Sequence, residues 1–239
     1  MTTVPRLSVV IPAFNEAARL PAYLDEVAAF LEGRGEPHEI IVADDGSTDG
    51  TVAVARSLAA RHPTVRVLPL GRNRGKGAAV RAGMLAAVGA RRLFTDADGA
   101  TPIAELKRLE PALAAGADVV IGSRALVDPG VATRTRRHRV VAGRTFNWLV
   151  ALLGLRGVAD SQCGFKLFTA AAADALFGPL ATMGFAFDVE VLLRAQKTGL
   201  RIVEVPVNWA DQEGSKVGVL TSGPGMLLQV ARARWRVGR

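Results

Sequence analysis

Two aspartates one residue apart, Asp96 and Asp98, follow a short apolar run, Leu93-Phe94-Thr95. Two carboxylates in this spacing, where a strand stops, offer hard oxygen donors to Mg²⁺ or Mn²⁺, and such an ion can bridge to a pyrophosphate. Aspartates also cap helices and open turns, so the pair taken alone leaves both readings open. Two more acidic motifs stand in the same kind of place. Asn15-Glu16 follows Ser8-Val9-Val10-Ile11-Pro12-Ala13-Phe14, and Asp44-Asp45 follows Glu39-Ile40-Ile41-Val42-Ala43. The first segment would form a floor under a base or ribose, or end a strand with Asn15 as a helix cap. The second offers carboxylates to ribose hydroxyls or a uracil edge, with Asp45 for ligand and Asp49 for the cap of the next helix. Arg72-Asn73-Arg74-Gly75-Lys76-Gly77 is a basic, glycine-rich turn leading into a helix, either a natural anion site or a glycine turn with solvated arginines. It lacks the spacing of a Walker P-loop.

The elements that must position these groups follow from apolar patterning. Buried strands are expected at Leu7–Ile11, Glu39–Ala43, Val65–Leu70, Arg92–Thr95 and Asp118–Gly122. Helices are expected at Ala17–Leu31, Thr51–Arg61, Gly75–Val88 and Ile103–Ala114 between them. Alternating helices and wholly apolar strands predict an α/β fold built on a mostly parallel, Rossmann-like sheet with helices on both faces. Ligands of such sheets bind beyond the carboxyl ends of the strands, where all three acidic motifs fall.

After Arg124 the pattern changes. Asp128–Arg139 is polar and basic and reads as a loop; Val140–Leu155 is an apolar, Trp-containing helix; Phe187–Thr198 is a helix. Leu200–Val207 is a strand, Asn208–Gly218 a polar loop, and Met226–Val237 a helix with interleaved arginines. No repeat or linker marks a boundary, so residues 1–239 read as one domain. Within it, 134–156 and 226–239 are the segments suited to a membrane interface.

Composition narrows the class. The chain has 239 residues and a formal net charge of +8, which favours anionic partners such as nucleotides, phosphorylated lipids or headgroups. The charge is concentrated in Arg134, Arg136, Arg137 and Arg139 with His138, and in Arg232, Arg234, Arg236 and Arg239. A single cysteine, Cys163, excludes an internal disulfide. Neither a signal peptide nor a transmembrane run of about 18 apolar residues is expected. A cytoplasmic protein, peripheral at the cytoplasmic face of a membrane, is the expectation. Nucleic acid is not an expected partner, since no helix-turn-helix, zinc site or aromatic-basic platform is seen and Asp45, Asp96 and Asp98 would repel a phosphate backbone.

Taken in order, the motifs closely resemble the family 2 glycosyltransferases of GT-A fold, and within them the dolichyl-phosphate β-glucosyltransferases and polyprenyl-phosphate sugar synthases. The likeness is carried by SVVIPAFNE (Ser8–Glu16), ADDGSTDGT (Ala43–Thr51), GRNRGKGAAVRAG (Gly71–Gly83), TDADGAT (Thr95–Thr101) and GSR (Gly122–Arg124). It continues with DSQCGFKLF (Asp160–Phe168), GFAFDVE (Gly184–Glu190) and EVPVNW…EGSK (Glu204–Lys216).

That resemblance implies a set of roles. Pro12, Ala13, Glu16, Ala43 and Asp45 would line the nucleoside pocket, with Lys76 and Ala97 on the donor. Asp96 and Asp98 would serve the metal, Asp98 directly and Asp96 nearer the base or ribose. Arg124, Ser215 and Lys216 would meet phosphates. Gln162 and Asp188 would lie on the acceptor side, with Asp188 a positioning residue and Glu190 a helix-face residue. The implied reaction is inverting, metal-dependent transfer of a sugar, glucose from UDP-glucose, to a polyprenyl phosphate, with Asp98, Arg124 and Lys216 as the catalytic set. A GDP-mannose donor or a soluble acceptor is the near alternative; a basic nucleic-acid or anionic-surface module is the alternative from another class. Many relatives carry transmembrane helices that this chain lacks, so a lipid acceptor would have to be reached from the membrane surface.

Overall fold

The computed structural model describes residues 4–134, 137–212 and 219–238. Nine strands are assigned in these residues: β1 (Leu7–Ala13), β2 (His38–Asp44), β3 (Val65–Pro69), β4 (Arg91–Thr95), β5 (Val119–Ser123), β6 (Thr133–Arg134), β7 (Phe165–Thr169), β8 (Ile202–Pro206) and β9 (Trp209–Ala210). Eight α-helices accompany them: α1 (Leu20–Arg34), α2 (Thr51–Arg61), α3 (Lys76–Ala86), α4 (Leu106–Ala114), α5 (Arg137–Leu152), α6 (Ala170–Phe177), α7 (Phe187–Lys197) and α8 (Val219–Gly238).

Seven strands form one sheet in the order β3-β2-β1-β4-β7-β5-β8. The first four are parallel, each joined to the next in sequence through a helix that returns the chain in the same direction. Strand β7 runs antiparallel to both β4 and β5. The mostly parallel expectation therefore holds, with one reversed strand inserted between two that the sequence order suggests are neighbours.

Side chains alternate across the pleat and feed two cores. Val9, Ile11, Val42 and Leu93 pack with Leu20, Leu24, Leu31, Leu106 and Leu109 on the face covered by α1, α2 and α4. Val10, Ile41, Phe94 and Phe168 pack on the other with Val80 and Met84 of α3, Leu176 of α6 and Leu192 of α7. Both faces are thus sealed, and the strand ends form a stiff edge from which short loops project.

Local differences from the sequence reading have simple causes. Helix α1 starts at Leu20 rather than Ala17. Asn15 takes a left-handed φ of 54°, and Glu16 O accepts from Arg19 N and Leu20 N, so residues 16–19 form a turn. Asn15 does not cap the helix; its side-chain oxygen accepts from Thr48 N at 2.8 Å and ties the first loop to the second. Gly35, at φ 66°, ends α1 with a left-handed cap. Asp128–Arg139 is not loop throughout: β6 pairs in parallel with β9, and α5 begins at Arg137. The side chains of residues 134–142, the whole first basic cluster included, lie outside the described residues.

His62, at the C-terminal cap of α2, joins that helix to α1. Its Nδ1 lies 3.0 Å from Glu32 Oε1 and its Nε2 3.2 Å from Asp25 Oδ1. Glu32 foremost, then Asp25, raises the imidazolium pKa. A raised folded-state pKa contributes stability that is complete below the unfolded value of about 6.5 and disappears as pH climbs through the folded one. His62→Gln should therefore cost more stability at about pH 6 than at about pH 8.5 in urea unfolding, and equal losses at both would refute the pairing.

Candidate active site

The carboxyl ends of β1, β2, β4, β5 and β8 and the amino end of β7 share one edge of the sheet, as the pairs Thr95↔Phe165, Ile121↔Lys166 and Ser123↔Pro206 require. Asp96 and Asp98 follow β4 there. Asp98 Oδ1 accepts from Ala100 N at 3.1 Å and so closes the turn. Burial, then the Asp96 charge, pushes the Asp98 carboxyl above the usual range. Tyr23 supports the turn from beneath: its hydroxyl lies 2.6 Å from Thr95 Oγ1 and donates to Thr101 O at 3.3 Å. Gly99, at φ 66°, rests against the same ring, where a Cβ would come within 2.9 Å.

Asp96 is enclosed by two elements the sequence reading did not connect to it. Its amide donates to Gly164 O at 3.0 Å. A Cβ on Gly164 would lie only 2.0 Å from Asp96 Oδ2. On the other side Lys76 Nζ lies 2.6 Å from Asp96 Oδ1. Oδ1 is thus a buried oxygen balanced by the Lys76 ammonium. A hard cation suits this oxygen and the adjacent Asp98 carboxylate, with phosphate oxygens completing the shell. Among the described residues no third His, Cys, Asp or Glu joins them.

Beneath Lys76 lies a buried charge pair. Lys166, 1% exposed, reaches Asp188 Oδ1 at 2.5 Å and Cys163 O at 2.6 Å. Lys166 and Lys76 stand 5.6 Å and 5.5 Å from the ring of Phe94. Burial raises the Asp188 carboxyl, and both lysines oppose that shift. Asp188 thus holds Lys166, which in turn holds the loop carrying Gly164. Lys166→Met would leave Asp188 buried beside Lys76 alone, and a loss of about 3–5 kcal/mol in denaturant unfolding is expected. A change under about 1 kcal/mol would show that the pair is dispensable. Glu190 is not on an exposed helix face. It is fully buried and accepts from Ala181 N at 3.1 Å and Thr182 N at 2.8 Å, fixing the loop against which α3 begins.

The remaining residues are distributed as follows. Glu16 forms a two-bond fork with Arg19, at 2.6 and 2.7 Å. Asp45 accepts from Arg74 N and Gly75 N, both at 2.8 Å, so its carboxylate shapes the basic turn; it is Asp44 whose Oδ1 is buried without a hydrogen bond. Pro12, Ala13, Ala43 and Ala97 are buried, and Asp45 N already donates to Ala13 O. Asp49 bonds Thr51 N at 2.9 Å, although Gly50 holds the cap position of α2.

Arg124 is gripped by Asp160 through Nε at 2.7 Å and Nη2 at 2.8 Å, with its plane 5.4 Å from the Trp209 ring. The Asp160 partner raises the guanidinium pKa against burial. Arg124 thus presents a fixed charge rather than a swinging one. Gln162 lies at the rim, its amide bonded to Asp160 Oδ1 at 3.3 Å. Glu204 accepts from Ala159 N and Asp160 N, and Asn208 bonds Glu105 and Ala132 N, so the late strand motif braces this corner. Ser215 and Lys216 lie outside the described residues.

Residues 8–177 match the model of glycosyl transferase family 2. The chain belongs to that family. It is a glycosyltransferase of GT-A fold. It is 47% identical over 225 residues to a dolichyl-phosphate β-glucosyltransferase of Drosophila melanogaster, covering 88% of this chain and 69% of that one. It is 39% identical to the Dictyostelium discoideum enzyme of the same name, covering 96% and 74%. The human one is 40% identical, covering 89% and 69%. A solved glucosyl-3-phosphoglycerate synthase from Mycobacterium tuberculosis, in complex with Mn²⁺, UDP and its product, superposes with a TM-score of 0.73 at 22% identity, covering 98% of this chain and 80% of that one. At that identity the likeness concerns the fold.

Proposed function

We propose that the protein transfers glucose from UDP-glucose to a polyprenyl phosphate, with inversion at the anomeric carbon. The observation that carries the reading is the Asp96-Ala97-Asp98 turn at the sheet edge, with a buried Asp96 oxygen wedged between Gly164 and Lys76. The names of the relatives supply the acceptor class and the sugar. A GT-A structure with Mn²⁺ and UDP-glucose bound supports the donor and a divalent cation.

Asp96 and Asp98 would hold Mg²⁺ or Mn²⁺, whose chemistry is to stabilise charge building on the departing diphosphate. Lys76, at the amino end of α3, adds positive charge to the same region. The nucleoside would lie over the ends of β1 and β2, against backbone groups of Pro12, Ala13 and Ala43, with Glu16 and Asp45 shaping the loops around it. An ionised phosphate acceptor is itself a nucleophile and needs no strong general base. Arg124, fixed by Asp160, would orient it, with Gln162 and Asp188 on the acceptor side and Ser215 and Lys216 as further phosphate contacts. Attack opposite the leaving group converts an α-linked donor into a β-linked product.

The acceptor chain would approach from a membrane surface. In α8, Met226, Val230, Ala233 and Val237 are buried at helical spacing. The opposite side exposes Leu228 and Trp235 among Arg232, Arg234 and Arg236. Trp148 and Leu152 of α5 are 61% and 66% exposed. Apolar residues among arginines suit the anionic face of a bilayer. Among the described residues no helix is long and apolar enough to cross one. We thus read residues 1–239 as one catalytic domain, peripheral at the cytoplasmic face.

Melting shifts with UDP-glucose, UDP-galactose, GDP-mannose and UDP-N-acetylglucosamine, each with and without Mn²⁺, test the donor. The largest metal-dependent shift is expected for UDP-glucose. Flotation with anionic vesicles tests the surface: Trp148→Ser/Trp235→Ser should lose binding yet retain turnover on a short water-soluble acceptor. Absence of wild-type flotation, with turnover of a soluble phosphorylated acceptor, would overturn the lipid assignment.

A further inference from the structure

Lys76 occupies the oxygen that a metal would need. Its ammonium lies 2.6 Å from Asp96 Oδ1, an oxygen buried and without a hydrogen bond. Asp96 has little room to turn aside, because Gly164 fills the space behind its other oxygen. Two cations cannot both sit at contact distance from one carboxylate oxygen without strong mutual repulsion. Asp188, the next carboxylate acting on Lys76, already holds Lys166 at 2.5 Å through its Oδ1.

We propose that Lys76 is the resident counter-ion of Asp96, and that an entering divalent cation displaces it toward the anionic donor. The proposal rests on the reading of Asp96 and Asp98 as metal ligands. Side-chain exposures of 23% for Lys76 and 32% for Asp96 show that both residues reach solvent in part, although the contacting oxygen is buried. Lys76 is the first residue of α3, whose amino end favours anions. A displaced ammonium and the helix terminus would then meet the same diphosphate. Metal and nucleotide would strengthen each other's binding through this handover as well as by direct contact, and the coupling is reciprocal.

The test is Mn²⁺ binding to nucleotide-free protein by calorimetry, for wild type, Lys76→Gln and Lys76→Arg. Removing a competing cation should tighten Mn²⁺ binding about three- to tenfold in Lys76→Gln, while Lys76→Arg stays near wild type. The factor by which Mn²⁺ tightens UDP binding should shrink in Lys76→Gln, because no ammonium remains to be released. In wild type, the Lys76 ammonium resonance should shift on titration with diamagnetic Mg²⁺, a readout that needs no variant to fold. Unchanged or weaker Mn²⁺ binding in Lys76→Gln, with wild type binding Mn²⁺, would overturn the handover and leave the metal assignment standing. No Mn²⁺ binding by any of the three would overturn both.

Discussion

Asp98→Asn should reduce turnover by at least about a hundredfold while leaving the fold intact, the scale expected when charge stabilisation is removed from a developing anion. The structure gives the reason for both halves of this result. Within the protein Asp98 makes one short backbone bond, to Ala100 N, which the amide oxygen of Asn can still accept. Its other task is to stand beside Asp96, and two neighbouring carboxylates repel each other when no cation lies between them. The metal-free variant should therefore melt at or slightly above the wild-type temperature, and Mn²⁺ should no longer raise its melting point. Metal-dependent turnover surviving in Asp98→Asn would refute its assignment as a direct ligand.

Gly164→Ala should be nearly as damaging, although Gly164 carries no functional group. Its φ is not in the left-handed region, so alanine suits the backbone. The cost arises from the new methyl, which would lie 2.0 Å from Asp96 Oδ2 and 2.3 Å from its Cγ. Either the carboxylate rotates off its position or the strand shifts, at about 1–3 kcal/mol of overpacking. Turnover is expected to fall at least about tenfold, since an ångström of misplacement at a reacting centre is costly. Because the damage acts through Asp96, Gly164→Ala should add little to Asp96→Ala in a double-mutant cycle on turnover. Additive losses would show that Gly164 acts elsewhere.

These two substitutions divide what was legible in the chain from what was not. Asp98 is visible in sequence because carboxylates ending an apolar run have few physical uses, and three such endings in a βα-alternating chain converge on one edge. The class of fold follows for the same reason: strands apolar on both faces and helices of period near 3.6 leave a parallel, two-faced sheet as the way to bury both. The chemistry of Gly164 and Lys166 has no such local signature. Both lie on a segment far along the chain, and their roles exist only because β7 runs backward between β4 and β5. That reversal brings the start of β7 to the edge where β4 ends.

Charge pairing was equally hidden. Arg74, Asp45 and Arg124 read in sequence as charges facing a ligand. In the structure Asp45 is committed to backbone amides, and Arg124 is held by Asp160 across 36 positions of chain. A buried charge needs a partner, but sequence does not say which one, because the partner is chosen by distance after folding. The residue types and their spacing determined the sheet, its working edge and the acidic turn on that edge. Tertiary structure alone decided how each carboxylate is held, since only packing brings Gly164 and Lys76 to Asp96, ties Asp45 to the Arg74 and Gly75 amides and pairs Asp160 with Arg124.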